Sequence, residues 1–432
     1  MSIKTSAHSP LVADLASRFQ EAPWLVQQRE RAFALYTSMP SPKLEKTDLR
    51  DRPWLVESIP SATTGGAGAA AQALLEGAKA AGGAYVYVRD GVTIETSLPH
   101  SLAKQGVVLL DLHTAVDQHP EWVRRHLYSV VPAEESKWAA LNAALWHGGV
   151  FVHVPSGVRL ELPIHFIYEE TMTGKGGLPR SLIVVEDRAS LSFAEAYLCH
   201  GERQEGVVHS AVTELVVGPD ADVTAACLSR YGKGPTNFFT RRAKLADNAS
   251  VDWVIGDVSD GFTVGLVESR LEGPGSKSTT RSFGVGYGRQ RLDFTASMDH
   301  FGHHSESDIT LMGVLRGRAS STYRSSTHIE RGADEASSEQ HDRMLMLGSR
   351  AQADAIPMLL IDENDVQRCG HAASVGRIDE NQVYYLMARG IPRAEAERMI
   401  IWGYLQPLVD AFPVEPWRSE VASWIDGELN LR

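Results

Sequence analysis

From about residue 145 to residue 378 the chain consists of short runs in which apolar and polar residues alternate, broken by turn residues. This is the period-two pattern of strands with one buried face. The runs echo one another: LIVVEDRASLSF, LVVGPDADVTAA, AKLADNASVDWV, GVLRGRASSTYR and LMLGSRAQADAI each read as an apolar strand, a tight polar or glycine turn, and an alanine opening a second strand. The aligned alanines are Ala189, Ala221, Ala249, Ala319 and Ala351, at steps of 32, 28, 70 and 32 residues, and the wide step has room for a degenerate copy near GPGSKSTTRS. A small residue recurring just past a corner predicts stacked coils, because coils about 4.8 Å apart leave little room inside the bend. An antiparallel sandwich also has regular short strands. One turn signature kept from Ala189 to Ala351 favours the coil. The expected fold is therefore mainly β, a solenoid whose ends need capping.

Helical spacing flanks this region. In residues 10–38, Leu11, Leu15, Phe19 and then Leu25, Ala32, Leu35 and Tyr36 recur at roughly helical spacing, and Pro23 breaks the pattern into two helices. Residues 40–54 form a proline-bounded polar connector, and 65–84 a helix of small residues with Gln72, Glu76 and Lys79 on its wet face. After the strands, Asp379-Glu380-Asn381 leads into a helix ended by Gly390. Pro392 then opens a second helix, whose face carries Ala396, Met399, Ile400, Tyr404 and Leu408, widened by Ile401, Trp402 and Leu405. The predicted division is an N-terminal helical segment over 1–60, a mixed α/β connection over 61–144, a β-helix core over 145–378 and a C-terminal helical domain over 379–432.

Charge and composition narrow the function classes. The net charge of −12 and the lack of a basic run argue against nucleic acid or an anionic membrane as partner. Three scattered cysteines, Cys199, Cys227 and Cys369, do not make a disulfide framework and suit a reducing cytoplasm. Asp14 and Arg18 interrupt what would be the apolar core of a leader, and no run of about 18 apolar residues occurs. The glycine-lysine pairs Gly174-Lys175 and Gly232-Lys233 lack the remaining residues of a phosphate loop, so ATP hydrolysis by that route is not expected.

The most suggestive chemistry lies in DVQRCGHAASVGRID, residues 365–379. If Cys369 and His371 lie on one strand they share a face, with attachment points roughly 6–7 Å apart. A thiolate and an imidazole suit iron or an iron–sulfur cluster, but such a centre wants about four ligands and zinc three or four. No CxxC or HxxxH pair elsewhere completes the set, so the remaining ligands are expected from another chain, across a seam into which the imidazole faces outward.

This segment, within MLMLGSRAQADAIPMLLIDENDVQRCGHAASVGRIDENQVYYLMARGI, resembles the closing segment of the SufB/SufD scaffold proteins of iron–sulfur cluster assembly. LNAALWHGGVFVHVPSGVRLELPIH is similar to that family's entry into its β-helix, and EAPWLVQQRERAFALYTSMPSPKLEKTD resembles the SufD branch. The resemblance implies a right-handed parallel β-helix flanked by helices. It also implies pairing with SufB or with a second copy, two SufC ATPases docked on the C-terminal helices, and a transient cluster as cargo rather than a tightly held cofactor. It assigns the ligand role to His371, with Cys369 at a position where relatives vary, and it implies a scaffold, not an autonomous enzyme. Where several relatives have serine in CysGlyHisAla, this chain has Gly370. A SufB-type paralogue is the nearer alternative. A carbohydrate-active β-helix would show aromatic ladders and paired acids where these repeats have Ala, Ser and small polar residues, and a zinc protein would need its own ligand set.

Among other candidates, His300, His303, His304, Glu306 and Asp308 read as solvated residues on a coil, Cys199-His200 as a strand end, and Cys227 as a small buried hydrophobe. No GxSxG elbow supports a hydrolase.

Overall fold

The alternating runs wind into a coil of two facing sheets. The computed structural model describes residues 9–429 except 51, 53–55, 57, 60–64, 172–175, 201–207, 233 and 235. Two helices come first, α1 (Pro10–Phe19) and α2 (Pro23–Ser38), separated at Pro23, which occupies the first helical turn where its missing N–H is not needed. The glycine- and alanine-rich stretch forms α3 (Ala69–Ala81), followed by the hairpin β1 (Tyr85–Arg89) and β2 (Val92–Ser97). Then come α4 (His100–Lys104), β3 (Val108–Asp111), α5 (Leu112–Gln118), α6 (Pro120–His126) and α7 (Lys137–Leu145).

The coil begins with β4 (Val150–Val154), β5 (Ile164–Thr171), β6 (Arg180–Val185), β7 (Ser190–His200), β8 (Val208–Val217), β9 (Asp222–Arg230), β10 (Thr236–Leu245) and β11 (Ser250–Asp257). It continues through β12 (Phe262–Leu271), β13 (Lys277–Gly286), β14 (Arg291–His300), β15 (Glu306–Leu315), β16 (Ser320–Ile329), β17 (Ser337–Met346), β18 (Gln352–Ile361) and β19 (Arg368–Arg377). Odd-numbered strands from β5 to β19 stack parallel in one sheet, extended by β1 and β2, and even-numbered strands from β4 to β18 stack in the other, extended by antiparallel β3. Each coil thus gives one strand to each sheet, and between the first and last coils the backbone ladder is closed by the coil before and after. Three helices follow, α8 (Glu380–Met387), α9 (Arg393–Val409) and α10 (Glu415–Glu428).

The corners explain the repeat. Ala189, Ala221 and Ala249 sit at 0 % exposure just before β7, β9 and β11, where the chain crosses from the even to the odd sheet. The same corner recurs at Ser276, Ser305 and Ala336, giving steps of 32, 28, 27, 29 and 31 residues. Ser276 and Ser305 replace alanine with a hydroxyl that donates to Gly273 O and Gly302 O at 2.7 Å, which is why the sequence pattern fades there. Ala319 and Ala351 belong to the opposite corner, before β16 and β18, so the aligned alanines mix two columns and the step of 70 spans two and a half coils. Positive φ at Asp220, Asn248 and Gly275, each two residues after the acceptor of an i to i+3 backbone bond, makes these corners type II turns.

Helices cover the two outer faces. Val12, Leu15, Ala32 and Leu145 pack with Val208, Phe238 and Val264 on the even sheet. Leu74, Leu75, Ile401, Leu405, Leu408, Phe412, Trp417 and Ile425 pack with Val254, Phe283, Val285 and Val314 on the odd sheet. In α9 Ala396, Ile401, Leu405 and Leu408 are buried, as expected of that face, while Met399 stands 45 % exposed. Pro392 is the residue before the first turn of α9, one position earlier than its expected place. Arg29 of α2 is wholly buried, bonded to Glu21 and Ala144 O over the ring of Trp146, so a charged residue anchors that helix where spacing suggests only apolar ones. No helix is long and apolar enough to cross a membrane among the described residues.

Candidate functional site

The register of the last coils decides where the candidate ligands point. Cys369 pairs with Ser338 and His371 with Gln340. Both β17 residues are buried and bond to Thr327 on the facing sheet, so they point into the coil. Parallel neighbours in register share a face, so Cys369 and His371 also point inward, over the mouth of the coil. His371 is nonetheless exposed, because no further coil stacks on β18 and β19. The imidazole is thus accessible, standing on the rim of the coil's open end rather than on its outer wall. Cys369 is half-buried against Ile329, Ala333, Ala336 and Val366.

Beneath the rim the coil interior is polar. Earlier coils are filled by Phe166, Phe193, Phe239, Trp253 and Phe294. From the end of β14 to β17, just beneath the last coil, runs a hydrogen-bonded chain: His300 Nε2 to Ser307 Oγ (2.8 Å), Ser307 to Ser338 (2.9 Å), Ser338 to Thr327 (2.9 Å), Gln340 Nε2 donating to Thr327 (2.7 Å) and Ser325 donating to Gln340 (3.2 Å) and Asp342 (2.8 Å). Asp342 pairs with Ala373, two residues from His371, and its Oδ1 is buried without a hydrogen-bond partner among the described residues. Burial lifts the Asp342 carboxyl to about 6, while the Ser325 hydroxyl, His371 and His341 pull it down. Burial and the nearby Glu339 carboxylate raise the Cys369 thiol, so a metal must displace its proton to bind it. These interior polar positions were missed in the sequence, where their signal is hydrophilic residues at the inward parity of a strand.

The backbone at this end is also open. Gln352 N and Asp362 N bond back to Ala319 O and Ile329 O of the preceding coil. Alternation then turns the ring nitrogen of Pro357 to the free edge of β18, where it interrupts any added strand. Gln367 N bonds back to Ala336 O, so Arg368, Gly370, Ala372, Ser374 and Gly376 of β19 direct unpaired N–H groups outward along an uninterrupted edge. Around it Leu360, Ile361 and Val375 are 51, 45 and 42 % exposed. Exposed apolar residues thus lie beside an unpaired strand edge at this end of the coil.

The other candidates do not join this site. His300 is fully buried and bonded through both ring nitrogens, not solvated, whereas His303 and His304 face solvent and His304 lies 3.1 Å from Glu335. Cys227 is buried, its thiol pushed up by burial beside the Glu195–Arg241 ion pair inside the coil. Cys199 is near the end of β7. Gly174, Lys175 and Lys233 lie outside the described residues.

Comparison with known proteins accounts for this architecture. Residues 166–404 match the family described as SUF system FeS cluster assembly, SufBD core domain, and residues 81–166 match the SufBD protein N-terminal region. The chain is 34 % identical to the iron–sulfur cluster assembly protein SufD of Bacillus subtilis over 99 % of both chains. It is 30 % identical to SufB of the same organism over 74 % of this chain and 68 % of that one. An iron–sulfur cluster assembly SufBD family protein of Staphylococcus epidermidis is 28 % identical over 94 % of this chain and 89 % of its own. The chain therefore belongs to the SufB/SufD family of iron–sulfur cluster assembly proteins, and of the two branches it is more like SufD.

Proposed function

We propose that this protein is a scaffold subunit of the SUF machinery whose open coil end, closed by a second chain, is where a nascent iron–sulfur cluster is built. The observation that carries the reading is the coincidence at one end of the coil of an unpaired strand edge, exposed apolar residues and the inward-facing pair Cys369 and His371. The cluster is cargo. His371 contributes an imidazole and Cys369 a thiol that must lose its proton, and the missing donors come from the partner, SufB or a second copy. An added strand along β19 would seal the mouth and exclude water from the growing cluster.

The C-terminal helices suit the SufC ATPase. Tyr384, Tyr385 and Met387 of α8 and Met399 of α9 are 72, 59, 42 and 45 % exposed, a connected set of apolar groups. Only residues 378 and 379 separate β19 from α8, and the Tyr404 hydroxyl of α9 donates to Arg343 O of β17. ATP-driven closure of the partner on α8 and α9 would move these strands and open the mouth to sulfur and iron.

The test is to purify the complex with SufB and SufC carrying His371→Ala and follow cluster build-up by visible absorbance. Assembly should be lost with the complex intact. Undiminished assembly would remove His371 from the ligand set.

A further inference from the structure

A second group of ligand-type side chains lies outside the mouth, on the outer surface of the last coils. His328 near the end of β16 sits between two carboxylates from the corners that follow β16 and β18. Asp362 Oδ2 is 3.2 Å from His328 Nε2, and Glu330 Oε1 is 3.3 Å from Nδ1. One donor atom from each of the three residues falls within 4.8 Å of the others. First-row divalent ions bind these donors at about 2.1 Å, so two ligands of one ion stand roughly 3.0–3.4 Å apart. The Nε2–Asp362 spacing already meets that. A metal-bound imidazole characteristically gives its other N–H to a carboxylate, which fixes ring and tautomer, and Glu330 is placed to accept it.

The positions are held by backbone. Glu330 N donates to His300 O at 3.0 Å and Asp362 N to Ile329 O at 2.9 Å. The next residue, Glu363, accepts from the N–H groups of Gly332, Asn364 and Asp365, which ties the loop after β18 to the corner below. Asp299 stands beside His328 in register on β14. Among the described residues no Lys or Arg closes an ion pair with Asp299, Glu330 or Asp362, so three acids surround one imidazole.

We propose that His328 and Asp362, with Glu330 orienting the imidazole and Asp299 adding charge, form a binding site for a divalent first-row transition cation, separate from the mouth. One nitrogen and carboxylate oxygens without sulfur select the class of Fe(II), Mn(II), Co(II) and Zn(II) over Mg(II). On the reading of the protein as a cluster scaffold, the natural occupant is ferrous iron held on the same terminal coils as the mouth before incorporation.

The test titrates the full chain anaerobically with Co(II), read by its visible absorbance, and with Fe(II) by equilibrium dialysis. The wild type and His371→Ala should both bind at this site, with Mg(II) failing to compete. His328→Ala and Asp362→Asn should abolish it, and Glu330→Gln should weaken it roughly ten- to a hundred-fold, as for a residue that orients a ligand. Unchanged thermal melting would show that the variants fold. Absence of Co(II) and Fe(II) binding in the wild type, or binding unaltered in His328→Ala and Asp362→Asn, would overturn the proposal and leave an imidazole bridging two acids. Loss in His371→Ala alone would place the ion in the mouth instead, and also overturn it. Failure here leaves the role of His371 in cluster build-up untouched, since that is read in the complex.

Discussion

Asp342→Asn replaces the carboxyl beneath the mouth by a group of the same shape that does not titrate. Its folded value of about 6 lies above the ordinary aspartate value of 3.8, so the native state favours the protonated form. The stability held by that preference is fully present below about pH 3.8 and is lost as the pH rises through about 6. At pH 8 the full shift costs the wild type roughly 3 kcal/mol, and at pH 5, where the folded group is still protonated and the unfolded one is mostly ionised, roughly half of that. Packing changes made by the amide are common to both conditions and cancel in the difference. Asp342→Asn should therefore gain roughly 1–2 kcal/mol more over wild type at pH 8 than at pH 5. Urea unfolding of both proteins at the two pH values measures this through the midpoints at constant slope. An identical stability difference at pH 5 and pH 8 would show that Asp342 ionises in the fold as it does in the unfolded chain, and that the mouth has no destabilised acid on its floor. A polar group kept at such a cost beside His371 fits a functional rather than a packing role.

Trp253 is wholly buried, stacked between Ala225 and Thr280 and bonded through its indole N–H to Ser269 at 3.0 Å. Trp253→Ala should lower unfolding free energy by about 3–5 kcal/mol, measured by denaturant titration, since stacked coils cannot collapse into the void. Val375→Lys should leave the isolated chain within about 0.5 kcal/mol of wild type. It should weaken pairing through the mouth at least roughly ten-fold by ultracentrifugation, as its exposed 42 % must then be buried beside a charge. His165 and His300 are held neutral by burial at about 4, and His209 at about 3. The stability they lend is present above about pH 6.5 and lost as the pH falls toward those values, so the urea midpoint of His300→Gln relative to wild type should rise as the pH is lowered from 6.5 to 4.

The coil was legible because each corner imposes a small residue and each strand a period of two. Ala189, Ala221 and Ala249 mark one column directly. The second column at Ala319 and Ala351 looked the same in one dimension, because both corners meet the same steric limit inside the bend. The pairing of Cys369 with His371 followed from strand periodicity, and the register added what spacing alone does not contain, namely which face is inward. Asp342, Gln340 and Ser325 escaped notice because their partners are 13 to 17 residues away on a facing sheet. The His328 group was hidden for a similar reason: Asp362 is 34 residues from His328 and meets it only across stacked coils.

Hydrogen exchange along β19 tests the junction at the mouth most directly. In the isolated chain the amides of Arg368, Gly370, Ala372, Ser374 and Gly376 should exchange freely, while their odd-numbered neighbours, bonded to β17, are protected. In complex with SufB the first set should become protected as well. Equal exchange of these five amides with and without the partner would mean that the second chain joins elsewhere, and the coil end would lose its place as the assembly site.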